Sequence, residues 1–210
     1  MAEHNLLSGQ DELKPVPVNT PVGESWAGQP WAWRAMYAYE QPASERVPMQ
    51  IRQASRSVWT GESRWPLVLI GEAGSGKSCA ALLTLHWHEG NGWYLPFAAW
   101  CSRLALAKHG ELQTSAGFPL SERETWQEYE RATLTVLDDI GLREKPTDHQ
   151  YDALKRALDV REHLPSIYIS NLTIEDLAKL FDDRVASRLL AGTVAYVEDD
   201  QREPQGAVVR

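Results

Sequence analysis

Cysteine is scarce in this chain. Cys79 and Cys101 are the only two, and neither belongs to a C-x-x-C pair. That excludes a disulfide framework and a cysteine-based zinc site, and it leaves both thiols as small apolar filler in a reducing compartment. Long apolar runs are missing as well: no window approaches the ~20 apolar residues that span a bilayer. The opening Met-Ala-Glu-His-Asn has neither the basic start nor the apolar stretch of a signal peptide. A soluble, intracellular protein is expected. Positive charge is in deficit, with 21 Lys and Arg against 29 Asp and Glu for a net charge of −8. Such a chain has no general attraction for nucleic acid or anionic membrane, so any DNA contact needs a local basic groove. Internal repeats are absent too.

What remains is enough for a globular core. The apolar fraction is 43% over 210 residues, which suits one domain with an extra segment. Residues 1–45 read as that segment. Pro15, Pro17, Pro21 and Gly23 punctuate a polar leader, and Trp26, Trp31, Trp33, Tyr37 and Tyr39 then crowd together. These aromatics either cap the chain's own core or anchor a partner. A domain is expected over residues 46–202, with a flexible tail at 203–210.

The domain is organised around Leu67-Val-Leu-Ile-Gly71-Glu72-Ala73-Gly74-Ser75-Gly76-Lys77-Ser78. An apolar run ends in a glycine-rich loop, and a helix follows from Cys79. The loop matches G-x-x-x-x-G-K-[ST] in the strand–loop–helix context that the motif requires. Gly74 and Gly76 free the backbone so that its N–H groups can face phosphate oxygens, and the helix adds its positive end. Gly71 to Cys79 thus form an expected ATP-binding segment. Within it Lys77 answers the β- and γ-phosphates and the Ser78 hydroxyl serves Mg²⁺.

Further strands are expected at Trp93–Phe97, with Pro96 marking a sheet edge or strand end, and at Thr133–Leu137, Ser166–Ser170 and Gly192–Val197. Helices are expected at 46–58, 98–109, from the capping box Ser121-Glu-Arg-Glu124 to Arg131, from His149 to His163, from Thr173 to Phe181, and around Arg184 and Arg188. Strands alternating with helices predict an α/β three-layer sandwich with a mostly parallel five-stranded sheet. Ligands then sit beyond the carboxyl ends of the strands. Three strands end there in polar groups: the phosphate loop after Ile70, Asp138-Asp139 after Leu137, and Ser170-Asn171 after Ile169. Asp138 suits the carboxylate that holds Mg²⁺, Asp139 the base that polarises a water, and Asn171 the group that holds that water or the γ-phosphate. Taken alone, Asp138-Asp139-Ile-Gly141 and Asn171 also read as ordinary turn residues.

At this point the sequence resembles the AAA+ ATPases of the DnaC/IstB type, the bacterial and phage helicase loaders and their transposition relatives. The resemblance covers roughly residues 46–202. It rests on Gly71–Ser78, Trp93–Leu104, Leu134–Gly141, Pro165–Thr173 and Phe181–Leu190 followed by Gly192-Thr-Val. It implies that Asn171 is the sensor-1 residue. It also implies that Arg188 is an arginine finger reaching the neighbouring subunit's nucleotide, with Arg184 as its companion. The plain alternative for the two arginines is a surface i,i+4 pair bonded to Asp182 and Asp183. The family also implies ATP and Mg²⁺ as cofactors, self-assembly, a replicative helicase and single-stranded DNA as partners, no membrane, and a cytoplasmic place in a bacterial or phage-infected cell. Asp139 stands where many AAA+ proteins carry Glu, and with little sequence after residue 198 a C-terminal helical lid is not expected. An IstB-like transposition helper shares every motif. A small-molecule P-loop kinase and a module using ATP only as a switch are further readings. Arg103, Lys108 and Arg123 are candidates for DNA contact, though a solvated face accounts for them better.

Overall fold

The structure, a computed structural model, describes residues 47–87, 92–114, 117–141 and 145–197. The Trp-rich leader, the tail and the expected domain boundaries lie outside these residues. Within them the order is α1 (Met49–Trp59), β1 (Leu67–Gly71), α2 (Lys77–Trp87), β2 (Gly92–Pro96), α3 (Phe97–Lys108), α4 (Glu122–Arg131) and β3 (Leu134–Ile140). There follow α5 (Asp148–Val160), β4 (Ser166–Ser170), α6 (Ile174–Leu180), α7 (Asp183–Leu190) and β5 (Thr193–Val197).

The strands form one five-stranded sheet in the order β2-β3-β4-β1-β5, with every pairing parallel. Successive strand residues point to opposite faces, yet nearly every residue of β1, β2 and β4 is buried. Helices therefore cover both faces, and the apolar runs read as continuous rather than alternating. Leu67, Leu69, Val136, Leu137 and Ile167 are fully buried, and each aliphatic side chain of this kind contributes about 1.5–3 kcal/mol. Pro96 lies on β2, an edge strand, where a missing N–H is tolerated.

The chain leaves β1 toward β2 on one side, and leaves β4 toward β5 on the other. Direction thus reverses at the β4–β1 seam, where a parallel sheet opens its binding crevice. Two helices begin with full capping boxes, Ser121 with Glu124 and Thr147 with Gln150. Beyond α5, Arg161 is only 2% exposed. Its guanidinium donates to the carbonyls of Glu130 (2.9 Å), Ala132 and Pro165 (2.5 Å), and its Nε to Ser166 Oγ (3.2 Å). This one side chain ties the end of α4, the start of β3 and the start of β4 together.

Several boundaries differ from expectation. Strand β3 runs on through Asp138-Asp139 to Ile140 instead of stopping at Leu137, because β4 continues to pair with it. Helix α2 opens at Lys77 rather than Cys79, since Ala80 N–H already bonds Gly76 O at 2.9 Å. Helix α5 ends at Val160, short of His163, and a turn closed by Leu164 N–H on Arg161 O follows it.

Candidate nucleotide site

The phosphate loop wraps its own lysine. Lys77 is 5% exposed, and its ammonium donates to Gly71 O and Glu72 O, both at 2.7 Å, and to Ser75 Oγ at 3.1 Å. Burial pushes its pKa down, while the charges of Asp138 and Asp139 push it back up. Gly74 and Gly76 take φ of 89° and 88°, a left-handed conformation open to glycine with little strain. Gly71 serves differently: a Cβ there would lie 1.9 Å from the carbonyl oxygen of Val197 on β5. Only a bare Cα lets the last strand run this close. Ser78 stands in the first turn of α2 beside Cys79, which is buried, and the first N–H groups of a helix lack partners inside it.

Strand β3 brings the two aspartates to the same sheet edge. Leu137 pairs with Tyr168 and Ile140 with Ser170, so β3 carries one residue more than β4 over that interval. The surplus makes a bulge, and Asp139 adopts φ of 60° within it. Asp138 is buried at 3% exposure, whereas Asp139 is exposed. Tyr94 on β2 donates its hydroxyl to Asp138 Oδ2, and Asp139 N–H bonds Asp138 Oδ1 at 2.7 Å. The Asp139 carboxyl holds its proton more tightly than usual. Partial burial is the larger cause and the neighbouring Asp138 charge the next, with Lys77 opposing both.

Strand β4 lies between β3 and β1. Its last residue, Ser170, donates Oγ–H to Ile140 O (2.7 Å) and accepts Leu172 N–H (3.0 Å), which pins the two strand ends together. Asn171 follows directly, exposed at that edge. Adjacent strands are about 4.8 Å apart, so Lys77, Asp138, Asp139 and Asn171 share an edge about the size of a triphosphate.

The two arginines are elsewhere. Arg188 pairs with Asp159 (3.2 Å) and with Glu162, and Arg184 with Asp159 (3.7 Å). Arg188 also borders a crevice with Pro66, the residue before β1. It therefore lies toward the amino ends of the strands, about 15 Å along β1 from the phosphate loop. Their acidic partners differ from those expected. Asp182 caps α7 through Val185 N–H (2.7 Å) and accepts the Tyr151 hydroxyl (2.5 Å), so α7 turns its arginines toward α5 instead. Arg103 pairs with Glu128 (3.1 Å) and lies over the Trp93 ring, while Lys108 and Arg123 are exposed. Neither cysteine is in a disulfide, both are buried, and burial pushes the Cys101 thiol up to about 12.

Two buried residues, Tyr94 beside the site and Arg161 at the opposite edge of the sheet, carry no local sequence signal. Tyr94 reaches Asp138 only across a strand pair, and Arg161 finds its carbonyls only after three segments meet.

The site residues present suit ATP with Mg²⁺. Among the described residues no cluster of three or more His, Cys, Asp or Glu could hold a metal alone. A hydroxyl and a carboxylate, Ser78 and Asp138, are the hard oxygen donors from which Mg²⁺ is held when phosphates complete its shell.

The sequence matches no family model and no curated protein. The structure does have counterparts. It is similar to the crystal structure of the DnaC helicase loader, with a TM-score of 0.55 and 16% identity over 80% of this chain and 98% of that one. It is similar to DnaI, at 0.52 and 18%, over 90% of each chain. It is also similar to AMPPCP-bound DnaA from Aquifex aeolicus, at 0.58 and 16%, covering 72% of this chain. The chain spans about half the length of that DnaA structure, 48%. The fold is the one that these DnaC, DnaI and DnaA structures share. In this frame the phosphate loop, Asp138-Asp139 and Asn171 occupy one edge of the sheet, and Arg188 the other. Among the described residues no helix is long and apolar enough to cross a membrane.

Proposed function

We propose that the protein is an ATP-dependent loader of a replicative helicase, hydrolysing ATP as it assembles on and leaves helicase and single-stranded DNA. The observation that carries this reading is the shared edge formed by Lys77, Asp138, Asp139 and Asn171 in a chain covering nearly all of the DnaC helicase loader structure. The loop N–H groups and Lys77 bind the β- and γ-phosphates. Ser78 and Asp138 hold Mg²⁺, which when bound neutralises charge on those phosphates. Asn171 orients the water, and Asp139, with its raised proton affinity, takes the water's proton as the bond to the γ-phosphorus forms. ADP and phosphate are the products.

Arg188, about 15 Å along β1 from its own loop, serves a neighbouring copy. A head-to-tail arrangement places the arginine edge of one subunit against the nucleotide edge of the next. Hydrolysis is then slow in isolated subunits and rises on assembly, since a finger in trans is worth about 10³–10⁵ in rate. The test is steady-state ATP hydrolysis by the full chain, alone, with single-stranded DNA, and with a hexameric replicative helicase. Stimulation by helicase or DNA is expected. Phosphate transfer to an added small-molecule acceptor, or an absence of turnover under all conditions, overturns the reading.

A further inference from the structure

We infer that Tyr94 is a positioning residue for the Mg²⁺-holding carboxylate, its buried hydroxyl fixing which lone pairs Asp138 turns toward the nucleotide. This rests on the ATPase reading above and adds a residue to it.

Tyr94 lies on β2 opposite Val136, and Asp138 lies two residues further along β3, opposite Pro96. With a side-chain period of two, both project from the same face of the sheet. The phenol is long enough to cover that diagonal, and its hydroxyl donates to Asp138 Oδ2. Both groups are enclosed, Tyr94 at 5% and Asp138 at 3% exposure. A buried carboxylate needs such donors, because losing water without replacement is destabilising.

Direction matters as much as strength. An ionised carboxylate offers about four lone-pair sites. The Asp139 N–H takes one on Oδ1 (2.7 Å), and the Tyr94 hydroxyl one on Oδ2. Two donors on separate oxygens stop the carboxylate plane from turning about its Cβ–Cγ bond. The sites left over are the ones offered to a cation beside Ser78. A phenylalanine would keep the ring packing and release that rotation. The Asp139 N–H cannot substitute, because it holds the other oxygen.

The experiment uses the full chain with Mn²⁺ as the probe, free Mn²⁺ being counted by electron paramagnetic resonance at saturating ADP. Tyr94→Phe should weaken Mn²⁺ binding about ten-fold or more, the usual effect of losing an outer-shell partner. ADP affinity measured in EDTA should stay near wild type, and the thermal midpoint should fall by a few degrees because the buried carboxylate loses a donor, so Mn²⁺ is titrated well below it. In an Asp138→Asn background, Tyr94→Phe should have little further effect on Mn²⁺, because the carboxylate it orients is gone. Wild-type Mn²⁺ affinity in Tyr94→Phe overturns the inference. So does an equal loss in both backgrounds, which marks the hydroxyl as general packing. Failure of the wild type itself to bind Mn²⁺ with ADP overturns the ATPase reading and this one together, so the two failures are told apart.

Discussion

At the scale of single residues, Asp139 shows how backbone and chemistry are joined. A left-handed φ outside glycine is uncommon, and here the bulge in β3 imposes it. The same bulge leaves Asp138 buried and Asp139 at the surface of the crevice. Partial burial beside Asp138 raises the proton affinity of Asp139. The protonated form is thus favoured by the fold. That contribution is whole below the unfolded carboxylate value of about 3.9 and is lost as the pH rises through Asp139's own higher value. Asp139→Asn should therefore raise the thermal midpoint at neutral pH, and the gain should shrink as the pH falls toward that unfolded value. The same variant should bind ATP and lose about 100-fold or more in turnover, as a missing general base does. Calorimetry across pH and a phosphate-release assay check the two halves. Lys77→Ala should abolish nucleotide binding in a fluorescent-nucleotide titration, since its ammonium is enclosed by the loop. These residues were legible because motif spacing is local. Tyr94 was not, because its partner lies on another strand.

At the scale of elements, the capping boxes decide where α4 and α5 start. Ser121 Oγ accepts Glu124 N–H and Thr147 Oγ1 accepts Gln150 N–H, both at 3.3 Å. Ser121→Ala and Thr147→Ala should each cost about 1 kcal/mol, read as a lower urea midpoint with unchanged slope. Strand number, order of elements and the edge position of Pro96 were readable from apolar runs and breakers. The extent of β3 was not: Asp-Asp-Ile-Gly favours a turn locally, and only pairing with β4 holds it in the sheet. Nor was the role of Arg161. A charged residue after a helix reads as solvated, yet its guanidinium is buried among the carbonyls of Glu130, Ala132 and Pro165.

At the scale of the whole molecule, the two edges of the sheet that carry the candidate residues face apart. The nucleotide edge holds Lys77 and Asp138, and the opposite edge holds Arg188, resting on Asp159 and Glu162. Under the proposed head-to-tail assembly, Arg188 exchanges those carboxylates for a neighbour's phosphate. Arg188→Ala should retain ATP binding and lose turnover. Mixing it with Lys77→Ala should restore part of the rate, because each variant supplies what the other lacks. A mixing series followed by phosphate release checks this, with no recovery counting against a shared pocket. The sequence indicated both groups but not their separation, which follows from strand order alone.

Gly71 gives the last strand a mechanical part in the site. With no Cβ to hold it off, Gly71 pairs directly with Val197, so β5 flanks the first residue of the phosphate loop. Any side chain added at Gly71 would have to push the edge strand and the loop apart together.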